Sequence, residues 1–168
     1  MSLGVLIRCA GCGAEVADEA GATHPYMRSA PGCWRLFGEV LAREFSDPRA
    51  RGSHRLAVDA YAVQHPGSRD RRNRQSVALH LMSLALVLED SATHEQARRM
   101  LARRARARTE FPWLTPPVDP SWVTVADVHD TRDPAGYPEM VRSWAVSAWE
   151  GWSEHHLLVR AWLEGEAA

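Results

Sequence analysis

The stretch Val77-Ala-Leu-His-Leu-Met-Ser-Leu-Ala-Leu-Val-Leu88 decides the fold class of this chain. Its side chains are apolar almost all the way round a helix, which is typical of a helix buried at the centre of a bundle. The run is too short to span a bilayer, and His80 interrupts it. We therefore predict a central helix over about residues 74–90 of a helical protein.

Helical patterns continue on both sides of this segment. Pro31 opens a first helix whose apolar stripe runs to residue 45. A second helix begins at Ser53 and stops before Pro66, because proline cannot continue a helix. After the central helix, Thr93 is the predicted N-cap of a fourth helix, since Gln96 follows at the spacing of a capping box.

The C-terminal third has a different character. Residues 111–136 hold five prolines and no helical period, so we predict a long covering loop with a short strand at 122–125. A fifth helix follows over residues 137–164. The chain is thus predicted to be one all-α domain, a bundle of about five helices with an N-terminal zinc-knuckle-like loop. Its segments are 1–32 (metal-binding), 33–110 (helices one to four), 111–136 (proline-rich loop) and 137–165 (C-terminal helix).

The composition disfavours several kinds of partner. The 168 residues carry a formal net charge of −1, so no overall field attracts the chain to nucleic acid or to a membrane surface. The first residues lack the pattern of a secretory leader. Three cysteines, an odd number, argue against a disulfide framework. We therefore expect a cytoplasmic protein whose thiols are reduced.

All three cysteines lie within the first 33 residues of the chain. Cys9 and Cys12 form a Cys-x-x-Cys pair that contains a glycine, and Cys33 follows in Pro-Gly-Cys-Trp. Glycine lets the backbone curl so that two thiolates three residues apart point at one ion. The residue types and spacing predict a structural Zn²⁺ site with three sulfur ligands.

Two histidines compete for the fourth ligand position of this site. His24 lies between the Cys-x-x-Cys pair and Cys33, on a turn stiffened by proline, and is slightly favoured. His65 closes the second helix, whereas Cys33 opens the first. Because a short link should make these helices antiparallel, His65 and Cys33 are predicted at the same end of the helical hairpin. Both histidines remain candidates at this point.

The cysteines have two other interpretations. A redox dithiol normally sits at the start of a helix that follows a strand, where the thiolate pKa is lowered. The flanks of Cys9 and Cys12 look loop-like, which disfavours that use. Alternatively, Cys33 is a small buried apolar side chain and the Cys-x-x-Cys pair is incidental.

A second metal site is conceivable among the helical histidines. An enzyme interpretation places His54, His65, His80 and either His155 or His156 around a catalytic metal with an open coordination position. The simpler interpretation makes His80 a core histidine. In that case Ser76 and Ser83, one turn away on either side, would satisfy its imidazole.

Arginine and tryptophan supply the remaining signals. The basic stretches 69–74 and 98–108 have no interleaved aromatic residues, so we interpret them as solvated faces and expect no nucleic-acid partner. The alternative is an interaction or nucleic-acid-binding module that uses the arginine-rich helix. Seven tryptophans are many for this length, and most are expected in the core. Tryptophan also suits a pocket wall or a subunit interface. The candidate partners are therefore a small molecule, another protein or a second copy of the chain in a homodimer.

Six segments of the chain form a specific set: Cys9-Ala-Gly-Cys12-Gly-Ala14, Thr23-His-Pro-Tyr26, Ala30-Pro-Gly-Cys-Trp34, Val58-Asp-Ala-Tyr-Ala-Val-Gln-His-Pro-Gly67, Ser76-Val-Ala-Leu-His-Leu81 and the tail from Trp144 to Trp162. In these segments, and so over nearly its whole length, the sequence resembles a bacterial family of uncharacterised proteins. The resemblance implies no activity, but it favours a joint role for the cysteines, His24, His65 and His80.

Overall fold

A computed structural model describes residues 5–106, 109–118 and 122–165. Within these ranges the chain forms two short strands and seven α-helices, and two single turns of 3-10 helix lie at 51–53 and 153–155. The elements are β1 (Leu6–Arg8), β2 (Glu15–Ala17), α1 (Pro31–Ser46), α2 (His54–Gln64), α3 (Arg71–Leu88), α4 (His94–Arg106), α5 (Val125–Asp130), α6 (Tyr137–Gly151) and α7 (His156–Glu164).

Helix α3 occupies the centre, as its sequence predicts. It packs against α2, α4, α6 and α7, and its residues 81–86 are all buried. Helix α2 packs on both α3 and α6, and α1 covers the far side with α5. None of the described helices has the length and apolar character needed to cross a membrane.

Capping hydrogen bonds determine where α4 and α3 begin. At α4, the Thr93 amide donates to Gln96 Oε1 at 2.8 Å, and the Gln96 amide donates to Thr93 Oγ1 at 3.2 Å. These two bonds are the predicted capping box. Helix α3 begins three residues earlier than predicted, because Asp70 accepts the Asn73 amide at 3.0 Å and acts as its N-cap.

The predicted C-terminal helix is two helices, and this part of the prediction is wrong. Helix α6 ends at Gly151, and Trp152 leaves helical geometry with φ −98° and ψ 18°. Its indole Nε1 donates to the Val63 carbonyl at 3.1 Å, and the ring is buried. The bend directs α7 back onto α3, so that Val159 and Trp162 are buried as well.

The proline-rich segment is also more ordered than predicted. Residues 125–130 form α5 in place of part of the predicted loop, and no strand forms over the described residues 122–125. A capping box between Thr124 and Asp127 starts α5. Val125 and Val128, three residues apart, lie on its buried face against α1. A helix of six residues is too short to produce a clear period in the sequence.

Candidate metal centre

A β-hairpin presents the first two cysteines. Strands β1 and β2 pair antiparallel, with Ile7 opposite Val16, and the Cys-x-x-Cys segment forms the turn between them. The Cys9 amide donates to the Ala14 carbonyl at 2.8 Å, and the Gly13 amide donates to the Cys9 carbonyl at 2.9 Å. Gly13 has φ 77°, a conformation that glycine adopts without strain. The turn thereby directs the thiols of Cys9 and Cys12 toward the same group of donor atoms.

Close packing at Gly11 seats this turn on the end of α2. A Cβ atom at Gly11 would lie 2.4 Å from His65 Cδ2, 2.5 Å from the Arg28 carbonyl oxygen and 3.0 Å from the Gln64 carbonyl oxygen. Only glycine leaves room for this approach. The hairpin turn and the residue that ends α2 are therefore in direct contact.

The third cysteine comes from the first turn of α1. Pro31 starts the helix, and Cys33 follows two residues later with its side chain fully buried. Gly32 lets β2 approach closely, because a Cβ there would lie 2.6 Å from the Ala17 carbonyl oxygen. The hairpin thus packs on the start of α1, and all three thiols meet in one buried volume.

His65 completes the group, and its hydrogen bond selects the nitrogen that faces the thiols. His65 Nδ1 lies 2.7 Å from the Tyr61 carbonyl oxygen. A carbonyl can only accept, so Nδ1 carries the hydrogen and Nε2 keeps its lone pair. Nε2 lies 3.3 Å from Cys33 Sγ. This is the orientation that a metal-bound histidine adopts when a carbonyl supports its other nitrogen.

The separations within the group suit a tetrahedral ion. The four donor atoms, which belong to Cys9, Cys12, Cys33 and His65, all lie within 4.8 Å of one another. The sulfurs of Cys12 and Cys33 are 3.8 Å apart. Metal–sulfur bonds of about 2.3 Å at a tetrahedral angle would separate two sulfurs by about 3.8 Å. The same distance is far longer than a disulfide bond, and all three cysteines are free. The group can hold a metal ion.

The three thiols strongly influence one another's ionisation. Hydrogen bonds from Cys12 and Cys33 hold the pKa of Cys9 far below its ordinary value. A hydrogen bond from Cys33 lowers the pKa of Cys12, but contact with Cys9 and burial raise it more, to about 12. Contact with Cys12 and Cys9, together with burial, also raises the pKa of Cys33. Cys12 and Cys33 therefore hold their protons more tightly than ordinary thiols, and a divalent cation would supply the charge that lets all three ionise.

Aromatic side chains and one backbone amide surround the group. Tyr61 stacks on the His65 ring with centroids 3.9 Å apart, and its hydroxyl lies 3.7 Å from Cys33 Sγ. On its other face Tyr61 stacks on Phe37. The Ala30 amide donates to Cys9 Sγ at 3.5 Å. Tyr61 is not among the predicted site residues, although its position four residues before His65 on one helix face offers a signal.

His24, the fourth ligand that the sequence slightly favours, is not a member of the described group. Its Nδ1 accepts the Tyr26 amide at 3.4 Å, and its ring packs edge-on against Tyr26 and Trp34. Its position in the chain, between Cys12 and Cys33, had favoured it as the fourth ligand. The antiparallel arrangement of α1 and α2 instead places His65 beside Cys33, because the first helix begins where the second one ends.

The other histidines of the hypothetical catalytic site do not converge on a second metal site. Each of these four has its own partner: His54 Nδ1 with Glu44, His80 Nδ1 with Asp59, His155 with the Thr115 carbonyl and His156 with the Trp149 carbonyl. In the described part of the chain, the cysteine–histidine group is the one cluster with metal-ligand spacing. The serine partners expected for His80 are also replaced, since Ser83 donates to Asp59 rather than to the imidazole.

A cavity of about 310 Å³ lies on the outer side of the hairpin turn. Trp113 and Trp152 form part of its wall, and Gly11 and Cys12 contribute the edge nearest the cluster. Arg28 and Arg69 also line it. Two tryptophans therefore line a cavity directly beside the metal-ligand group.

Comparison with curated proteins and with solved structures finds no match. A family match covers most of the chain, including all four residues of the metal-ligand group. Because the sequence matches the family of unknown function DUF5946 over residues 7–153, the chain belongs to that family.

Proposed function

We propose that Cys9, Cys12, Cys33 and His65 bind one structural Zn²⁺ ion. The convergence of four buried donor atoms within 4.8 Å carries this proposal. Four protein ligands fill a tetrahedral shell, and structural zinc sites are closed in this way, whereas catalytic sites keep a position for water. Thiolate and imidazole ligands favour zinc over the hard cations Mg²⁺ and Ca²⁺.

The ion would link three parts of the chain that are distant in sequence. The hairpin supplies two ligands, the first turn of α1 supplies one, and the residue after α2 supplies one. Apart from this cluster, the hairpin contacts the bundle mainly through α1. Zinc would therefore fix the N-terminal segment on the helical hairpin, and its binding energy would add to the stability of the fold. A reducing cytoplasm, which keeps thiols available, is the compartment we propose.

Elemental analysis of protein purified without chelator tests the proposal. We expect one zinc per chain. The Cys12→Ser variant should lose zinc and melt at a lower temperature while retaining its far-ultraviolet helical signal, because the core around α3 does not depend on the hairpin. Well under half an equivalent of zinc with freely titratable thiols, or unchanged melting of the variant, would contradict the structural role.

The cavity beside the cluster favours a second function, the binding of a small molecule. We propose that Trp113 and Trp152 form the wall of this ligand site, because aromatic walls bury apolar ligand surface. Anilinonaphthalene sulfonate, which fluoresces in apolar cavities, is a suitable probe. Trp113→Ala should reduce its enhancement, whereas Trp122→Ala, at an exposed residue outside this cavity, should not. Equal effects of the two substitutions would rule the cavity out.

A further inference from the structure

A second cavity, a groove of about 450 Å³, lies between α2, α3, α4 and the loop that carries Tyr26. Polar or basic side chains line much of it, and we call it the His80 groove. Those used here are Tyr26, Arg55, Arg72, Ser76, His80 and Arg98. No carboxylate is among the described residues that line the groove.

A buried carboxylate beneath the groove holds two of its side chains in place. Asp59 is fully buried, and its Oδ1 lies 2.7 Å from His80 Nδ1. Its Oδ2 accepts from Arg55 Nε at 3.0 Å and from Ser83 Oγ at 2.5 Å. Arg55 Nε also reaches Ser83 Oγ at 3.1 Å. This network fixes the orientation of both the guanidinium and the imidazole.

The network leaves the terminal guanidinium nitrogens of Arg55 and Nε2 of His80 free of protein partners within the described part of the chain. Arg55 uses only Nε, and His80 uses only Nδ1, in hydrogen bonds to the described residues. Arg72 has no carboxylate partner among those residues, and its guanidinium lies over the Tyr26 ring at 5.4 Å. The Ser76 hydroxyl also makes no described hydrogen bond. Several donors therefore surround one cavity without an acceptor of their own.

We propose that the His80 groove binds the phosphate group of a small phosphate monoester. Two guanidinium groups and a hydroxyl can donate to a tetrahedral dianion, and guanidinium forms paired bonds to phosphate oxygens. Leu79 and Leu101 give the groove an apolar part that suits the organic portion of such a ligand. This site is separate from the proposed zinc centre and does not depend on it.

The size of the groove and its available arginines suit a single phosphate group. Arg98, at the α4 side of the groove, is already engaged in an ion pair with Glu95. Other arginines of α4, such as Arg103, lie outside the groove. The cavity is lined instead by the terminal nitrogens of Arg55 and by Arg72, which can hold one phosphate group rather than a chain of them.

Calorimetric titration of the zinc-loaded protein with phenyl phosphate, inorganic phosphate and phenol tests the proposal. We expect saturable binding of phenyl phosphate, weaker binding of inorganic phosphate and none of phenol. Arg55→Gln and Arg72→Gln should each weaken binding about tenfold or more, the scale of one lost charge-assisted bond. Arg103→Gln, at an exposed arginine of α4 that does not line the groove, is the control and should bind normally.

Zinc content and melting temperature show whether each variant is folded, and Arg72→Gln serves if Arg55→Gln unfolds, because Arg72 takes no part in the Asp59 network. The proposal fails if phenyl phosphate shows no saturable binding up to about 10 mM, a very weak affinity. It also fails if Arg72→Gln binds like the wild type, or if Arg103→Gln weakens binding equally. Tighter binding of a short single-stranded oligonucleotide than of phenyl phosphate would replace it with a nucleic-acid site.

Discussion

Gly11→Ala is the substitution that most directly tests how the metal-ligand group is assembled. The added methyl group would lie 2.5 Å from the Arg28 carbonyl oxygen and 2.4 Å from His65 Cδ2. Ordinary contact begins at 3.4 Å, so the turn must withdraw by about 1.0 Å from His65 at the end of α2. Metal sites tolerate changes of only about 0.2 Å in ligand distance. The substitution therefore separates the cysteine pair from His65.

The expected magnitude follows from this overlap. Overpacking of a well-packed site costs about 1–3 kcal/mol. If the strain is felt only in the metal-bound state, zinc affinity falls about five- to 150-fold, since 1.4 kcal/mol corresponds to a factor of ten. Competition with a chromophoric chelator measures the affinity, and denaturant unfolding measures the stability.

Gly38→Ala provides the matched control. Gly38 lies inside α1, and a Cβ there would meet no atom within 4 Å. Alanine should stabilise the helix by about 0.5–1 kcal/mol, because glycine loses more backbone entropy on folding. Zinc affinity should not change. If Gly11→Ala binds zinc as tightly as the wild type and unfolds at the same denaturant concentration, the described seating of the turn on α2 is refuted.

Three further predictions concern the cluster and the core. His65→Ala should release zinc while His24→Ala retains it, as elemental analysis would show; the reverse result would restore His24 as the fourth ligand. Because Cys12 and Cys33 have raised pKa values, zinc binding near neutral pH should release about two protons. Zinc affinity should then rise about a hundredfold for each unit of pH increase. Calorimetry in buffers of different ionisation enthalpy measures the number of protons released. Release of no protons would contradict this prediction. Burial raises the pKa of Glu44, so the folded state holds this proton more tightly than the unfolded state does. The free energy of unfolding of the wild type should therefore fall as pH rises through the folded pKa, and Glu44→Gln should become more stable relative to the wild type over the same pH rise. A difference in unfolding free energy that does not change with pH would disprove this prediction.

Local signals in the sequence were sufficient for the main helices. Helix α1 begins at Pro31, α2 follows Ser53, and the capping box at Thr93 forms as predicted, because each depends on residues within one turn. The bend at Trp152 gave no such signal. The buried stripe includes Trp144 and Ala148 before the bend and Val159 and Trp162 after it. Its period in the sequence therefore cannot distinguish one helix from two.

The composition of the cysteine–histidine group was predictable, but its membership was not. Distance along the chain favoured His24, whereas the position of His65 depends on how α1 and α2 pack. The strands that present Cys9 and Cys12 have only three residues each, which is below the length at which alternation is recognisable. The network around Asp59 was missed because its members lie on two helices, and no single helix face reveals it.

The burial of all four donor residues has a kinetic consequence. Cys9 and Cys12 are 2% exposed, and Cys33 and His65 are fully buried, so a chelator cannot reach a bound ion while the hairpin rests on α1 and α2. Metal exchange would then wait for the N-terminal segment to open, and its rate would report that local unfolding rather than the strength of the metal–ligand bonds. Mild denaturant should accelerate the exchange long before the bundle around α3 unfolds. The same opening would be the moment at which the thiols become accessible to oxidants.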